Sequence, residues 1–360
     1  MTLRPFLAIT LVSAGLAALS FTPMESAGVL LRKAPVPLPH IVLFISDDHG
    51  YEDAGFAGAK VVRTPNLDAL AGESLRFTRA FCNTPNCVPS RAVLSTGLMP
   101  ARNGAHPNHS KINQGIKTLP VYMQALGYQT VLAGKDHGWP RSAYPYVYLK
   151  KKDQDYAIID SVLAAHARPN QKPLFLVVAT DNPHVPWPYL KGYDPNKIDI
   201  PPFMVDTKIT RQVRAKYYTD VTDMDYTLGQ CLASMKRHGY GANTLFIYIT
   251  DNGPQWPHGK WNLYDQGIRI PMLVRWPNRV APNTTTDAMV PLVDMLPTLL
   301  EAVGGSVPDG LDGRSFLPVL LRQKTAHRDT IHTTYTADTA TEISTITPSV
   351  ASGRPGTSTL

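Results

Sequence analysis

Four apolar runs that each stop at a cluster of polar residues constrain the fold of this chain more than any other feature. The run at 41–46 enters Asp47-Asp48-His49-Gly50, and the run at 130–133 enters Gly134-Lys135-Asp136-His137. The run at 174–180 enters Asp181-Asn182-Pro183-His184, and the run at 244–250 enters Asp251-Asn252-Gly253. Near-continuous apolar character fits strands buried on both faces, as in a parallel sheet covered by helices. With a further strand at 272–276, these runs alternate with helical stretches at 66–74, 89–95, 119–126, 290–303 and about 211–238, the order of βαβ units. The longest of these helices is expected to stop at Gly239, a favoured residue just past a helix end. The expected fold is therefore α/β, a mostly parallel central sheet sandwiched by helices. Ligands of such sheets bind beyond the carboxyl ends of the strands, so all four polar clusters are expected in one crevice.

Aspartate and asparagine are ordinary turn formers, and one such cluster alone says little. Convergence is what carries chemistry. Asp47, Asp48 and Asp251 packed together would repel strongly at the reduced dielectric of a cleft. A divalent cation relieves that repulsion, and three carboxylates with the Asn252 carbonyl form a hard oxygen set suited to Ca²⁺ or Mg²⁺ rather than Zn²⁺. Arg91, Lys135 and Lys260 would supply positive charge for a tetrahedral oxyanion, with His137 and His184 in the same crevice. Pro89, placed at a first helical position, would aim a helix N-terminus there as well.

The run Cys87-Val88-Pro89-Ser90-Arg91-Ala92-Val93-Leu94-Ser95-Thr96-Gly97 resembles the signature of formylglycine-dependent sulfatases of the alkaline phosphatase superfamily. The similarity extends over about 39–319 and includes Ser46-Asp47-Asp48-His49-Gly50, Thr64-Pro65-Asn66-Leu67-Asp68, Gly134-Lys135-Asp136-His137, Asn182-Pro183-His184 and Thr250-Asp251-Asn252-Gly253. Gly259-Lys260-Trp261-Asn262-Leu263-Tyr264 and the Tyr144-Pro145-Tyr146 segment most resemble heparan N-sulfatase (sulfamidase)-like bacterial enzymes. The resemblance implies an alkaline-phosphatase-like fold and oxidation of Cys87 to formylglycine by a formylglycine-generating enzyme. It further implies a Ca²⁺ site (or Mg²⁺) made by Asp47, Asp48, Asp251, Asn252 and the modified Cys87. Arg91 would steady the aldehyde hydrate, while Lys135, His184 and Lys260 would bind sulfate oxygens. One hydroxyl of the hydrate would attack sulfur, His184 or Lys260 would protonate the leaving atom, and His137 would take the proton that releases sulfate. The implied substrate is a sulfated carbohydrate, with no nucleic acid and no stable membrane anchor. Alternatives are a phosphoesterase or phosphonate hydrolase on the same scaffold, or an inactive exported glycan-binding protein. A lone cysteine is usually buried and inert, which is the reading kept for Cys82 and Cys231. A short Cys82–Cys87 disulfide would also suit an oxidising compartment.

The chain has 360 residues, 43% of them hydrophobic and 18% charged, enough for one large α/β domain. Its net charge of +7 fits nucleic acid, an anionic surface or a sulfated polyanion equally, and excludes none of them. Residues 1–27 read as a cleaved signal peptide: Arg4 precedes a short apolar stretch, and Glu25-Ser26-Ala27 offers a small-residue cleavage site. Export to a periplasm or to the outside follows, or a lysosome in a eukaryote. The catalytic domain is expected over 38–325. Residues 326–360 become rich in threonine and serine and read as an atypical, truncated or disordered tail, so that the family's small C-terminal antiparallel subdomain looks incomplete.

Overall fold

The structure, a computed structural model, describes residues 1, 37–149, 156–168, 171–336 and 349–351. Apart from Met1, the signal peptide expected at 1–27 lies outside the described residues.

The strands are β1 (His40–Ser46), β2 (Leu75–Phe81), β3 (Gln129–Gly134), β4 (Val147–Leu149), β5 (Leu174–Ala179), β6 (Thr244–Thr250), β7 (Arg269–Arg275), β8 (Thr284–Thr286) and β9 (Val290–Pro291). They form one nine-stranded sheet in the order β4-β3-β5-β1-β6-β7-β2-β8, with β9 also paired to β2. β1 pairs in parallel with β5 on one side and β6 on the other. The periodicity of two divides each central strand between two cores. Ile41, Leu43 and Ile45 join one cluster with Phe175, Val177, Leu245 and Ile247. Val42 and Phe44 join the other with Leu174, Leu176, Phe246 and Tyr248. Leu119 and Met123 of the helix Leu119–Ala125, with Met295, Leu296 and Leu299 of the helix Met295–Ala302, cover the first face. The helices Pro65–Gly72, Tyr156–His166 and Lys208–Arg237 contribute to the second core. The result is the expected mostly parallel sheet between helical layers.

Two expectations need correction. β7 runs antiparallel to both β6 and β2 and is not another parallel unit. The connection 251–268 contains only the short helix Asp265–Ile268, whereas a parallel return needs a long crossover. The helix expected at 290–303 is instead strand β9, a turn at Leu292–Asp294, and the helix Met295–Ala302. β2 was absent from the sequence reading. Its Leu-Arg-Phe-Thr-Arg-Ala-Phe sequence is only half-buried, with Arg76 reaching out to Thr285 and Asn283.

Over its described part, the tail is built into the fold. Buried Asp294 accepts hydrogen bonds from His327 and, through both carboxylate oxygens, from Arg328. Beyond them β10 (Ile331–Thr333) pairs antiparallel with β11 (Ser349–Ala351). The segment 327–333, the start of the stretch read as an atypical, truncated or disordered tail, is tied to the fold by a buried carboxylate. Residues 337–348 and 352–360 lie outside the described residues.

Candidate active site

Because β3, β5, β1 and β6 are parallel neighbours, their carboxyl ends meet at one edge of the sheet. β1 delivers Asp47 and Asp48, β3 delivers Lys135, β5 delivers Asn182 and His184, and β6 delivers Asp251 and Asn252. β2 points the same way and leads through 82–86 into the helix Cys87–Thr96. That helix starts two residues earlier than expected. Cys87 occupies its first position, its N–H bonded to the Asn86 side chain, and Pro89 lies within the first turn, where its missing N–H costs nothing. Gly97 in the left-handed conformation ends the helix.

The Cys87 thiol is buried among carboxylates, with Sγ 3.5 Å from Asp47 Oδ1 and 3.9 Å from Asp48 Oδ1. Lys260 Nζ lies 3.0 Å from that sulfur and donates to Asp48 Oδ2 at 2.9 Å. Lys135 Nζ donates to Asp47, and Arg91 Nε donates to Asp251 Oδ2 at 2.9 Å. Asp251 Oδ1 accepts the N–H groups of Asp48 and Asn252, and Asn252 Nδ2 donates to Asp48 Oδ1 at 2.7 Å. Ser90 of the same helix donates to the Asp251 carbonyl at 2.6 Å. His184 is part-buried, its Nε2 lying 3.7 Å from Asp48 Oδ2. His137 sits beside them, lining a small cavity with Arg91 and Lys135, and no hydrogen bond joins it to Cys87.

Charge at this edge is nearly balanced and tightly coupled. Burial, then Asp251 and Asp48, hold the Asp47 carboxyl well above its usual range. Burial also opposes ionisation of Asp251, but Arg91, Lys135 and Lys260 together hold it low. Burial with Asp47, Asp251 and Asp48 pushes the Cys87 thiol well up, the opposite of what activates a thiolate nucleophile. Burial, reinforced by Lys135 and Arg91, lowers His137 to about 2, so its imidazole is neutral.

The donor set fits a hard divalent cation. Carboxylate oxygens of Asp47, Asp48 and Asp251 lie within 4.8 Å of one another. Asn252 Oδ1, beside them, is a buried oxygen without a hydrogen-bond donor, as a cation ligand would be. Asp47, Cys87 and His184 form a second such group, which shares Asp47 with the first.

The loop carrying Asp47 and Asp48 is itself clamped. Asp48 has φ 64, an uncommon left-handed conformation for a residue other than glycine. His49 is fully buried, with Nδ1 at 2.7 Å from the Tyr248 hydroxyl and Nε2 at 2.9 Å from the Asp53 carbonyl. Asp53 in turn pairs with Arg214 at 2.8 Å and accepts from Tyr217. His49 therefore braces the loop, as a supporting rather than a reacting group. Cys82 and Cys231 are buried free thiols, and Cys82 Sγ faces the Gly267 carbonyl instead of Cys87. Asp220, described below, was missed, as was the brace formed by Ser90. The signal for Asp220 was present: a charged residue on the apolar face of a helix that carries Tyr217, Val221 and Met224.

Sheet topology and the acidic, lysine-ringed cluster at its carboxyl edge define an α/β protein of the alkaline-phosphatase-like fold class. The sulfatase family model matches residues 39–305. The chain belongs to the sulfatase family. It is 33% identical over 291 residues to an ulvan-active sulfatase of Formosa agariphila, covering 78% of this chain and 57% of that protein. It is 30% identical over 328 residues to the N-sulphoglucosamine sulphohydrolase of Homo sapiens, covering 78% of this chain and 65% of that protein. The chain thus spans about 57% to 65% of the length of these two curated relatives. Among solved structures, the phosphonate monoester hydrolase of Agrobacterium radiobacter superposes with a TM-score of 0.70 at 20% identity, covering 83% of this chain and 80% of that one. That likeness shows the shared fold.

Proposed function

We propose that the chain is a sulfatase that hydrolyses a sulfate ester or N-sulfate of a sulfated carbohydrate, using formylglycine made from Cys87. The observation that carries this reading is the setting of Cys87. It stands at a helix N-terminus, within reach of Asp47, Asp48 and Lys260, where burial and the carboxylates oppose a thiolate more than Lys260 favours one. A thiol gains nothing there, whereas the hard oxygens of an aldehyde hydrate suit a carboxylate-lined cation site.

Asp47, Asp48, Asp251 and Asn252, with the modified Cys87, would hold Ca²⁺, or Mg²⁺ in its place. When bound, the cation supplies Lewis acidity and charge neutralisation at the sulfate. Lys135, His184 and Lys260 would bind sulfate oxygens, placing cationic donors where negative charge concentrates. Arg91, held by Asp251, would steady the aldehyde hydrate at position 87. His184 or Lys260 would protonate the leaving oxygen or nitrogen. His137, with a buried Nδ1 free of partners, would take the proton whose removal releases sulfate, its basicity raised by the negative charge of the bound sulfate. A formylglycine-generating enzyme is the maturation partner of this scheme, and an exported location is the one in which such substrates occur. No helix of the described residues is long and apolar enough to cross a membrane.

The test is twofold. Protein co-expressed with a formylglycine-generating enzyme should show the aldehyde in the peptide bearing Cys87 by mass spectrometry. With Ca²⁺ it should then turn over 4-nitrophenyl sulfate faster than 4-nitrophenyl phosphate. Preferential phosphate or phosphonate ester turnover would transfer the reading to the hydrolase chemistry of the Agrobacterium protein. An unmodified thiol in active protein would remove the formylglycine mechanism.

A further inference from the structure

A cavity of about 610 Å³ opens beside the acidic cluster, lined among others by Asp47, Lys135, His184, Asp181, Asp220 and Tyr189. That size admits a small sugar, within the range of about 300–1,000 Å³ usual for ligand pockets. Its two basic residues are already engaged with the cluster: Lys135 bonds Asp47, and His184 lies 3.7 Å from Asp48. Asp220 is different. It sits on the helix Lys208–Arg237 and is 4% exposed, yet its Oδ1 has no hydrogen-bond partner. Among the described residues, no ion pair reaches Asp220 or the neighbouring Asp181.

Buried carboxylates packed along the same helix are otherwise satisfied. Asp225 accepts from the Asn66 and Leu67 backbone and from Asn66 Nδ2 at 2.8 Å, and Asp53 pairs with Arg214 at 2.8 Å. A buried carboxylate oxygen lacking a donor is costly and is seldom kept without a use. Burial and the nearby Asp223 push the Asp220 carboxyl up to about 7 against the opposing hydrogen bond of the Asn182 side chain, the response of a group to which the chain supplies an amide but no cation.

We propose that Asp220 is a specificity-determining residue whose free carboxylate oxygen accepts an O–H or N–H of the sugar that carries the sulfate. This inference rests on the sulfatase reading of the neighbouring cluster. It deepens that reading by naming a substrate class: a sugar with a free hydroxyl or ammonium near its sulfate. A second sulfate or a carboxylate at that place would face Asp220 and Asp181 and be turned away, since like charges in a desolvated pocket repel.

The experiment compares wild-type protein with Asp220→Ala and Asp220→Asn. Turnover is read on 4-nitrophenyl sulfate, which offers no such donor. Galactose 6-sulfate, glucosamine 6-sulfate and glucosamine N,6-disulfate are measured as competitive inhibitors of that turnover, so that binding is read whether or not they are hydrolysed. Asp220→Ala should weaken the monosulfated sugars by about tenfold or more, the loss expected for a hydrogen bond to a charged group. Its kcat/KM for 4-nitrophenyl sulfate should stay within about twofold, and the disulfate should bind no worse than before. Equal weakening of both monosulfates identifies a hydroxyl as the donor, and weakening of glucosamine 6-sulfate alone identifies the ammonium. Unchanged inhibition by both sugars, or aryl sulfate turnover falling in parallel, would overturn the assignment. If the wild type hydrolyses no sulfate, the sulfatase reading fails separately, and calorimetric binding of the same sugars decides the role of Asp220.

Discussion

At the scale of single residues, the site combines charges that neutralise one another with one carboxylate, Asp220, that no cation pairs among the described residues. That difference has a measurable consequence in stability. The folded-state carboxyl of Asp220 titrates at about 7, above its usual value. Its contribution is therefore fully present below the unfolded carboxylate range and is lost as pH rises through about 7. Asp220→Asn cannot ionise, so at pH 8 it should be more stable than the wild type by about 1–2 kcal/mol, allowing for solvent screening. Near pH 4 the two should converge, and thermal unfolding at both pH values checks this. A substitution that stabilises the protein while weakening sugar binding marks a residue kept for function. Most of the other site residues were legible because each ends a run of apolar residues, or follows such a run within a few positions. For Asp220 only half of the signal lay in the sequence: a charge on the apolar face of a helix was visible, but not whether the fold supplies it a donor.

At the scale of elements, strand ends determine where the reactive groups point, and backbone conformation there matters as much as side chain. Gly134, with φ 104, passes the chain from β3 to Lys135, and a Cβ at this position would collide with the Ala179 carbonyl of β5. Gly134→Ala should cost at least about 2 kcal/mol, from the left-handed backbone and the displaced strand neighbour. Denaturant unfolding would show that loss. Activity measured well below the unfolding transition should also drop, because Lys135 moves with the strand. Central strands were readable from sequence because two covered faces demand an unbroken apolar run. β2 was not, because Arg76 and Thr78 turn toward the edge strand β8, and an alternating short run resembles a loop. Yet β2 is the strand that leads to Cys87, so the motif was visible while its support was not.

At the scale of the whole molecule, the described part of the C-terminal segment is tied to the fold by a buried carboxylate, with Asn83 bonding the backbone at His332 and Thr334. Asp294, fully buried, gathers His327, Arg328 and the Arg314 backbone N–H. Asp294→Ala would strand these partners at a cost of about 3–5 kcal/mol, the range for breaking a buried ion pair from one side. Calorimetry would register the lost stability, and limited proteolysis should then cut first between 322 and 336. Sequence composition missed this because the low apolar content that begins near Thr333 says nothing about one ionic tether just upstream. The reversed strand β7 bears on a different matter, the history of specificity in such enzymes. Since β6 and β7 are antiparallel neighbours, the segment 251–268, which carries Asp251, Asn252 and Lys260, leaves the sheet and returns to it without crossing a face. Residues can be inserted or exchanged in its outer part without threading a new helix over the core, so descendants can change what they grip while inheriting the same frame.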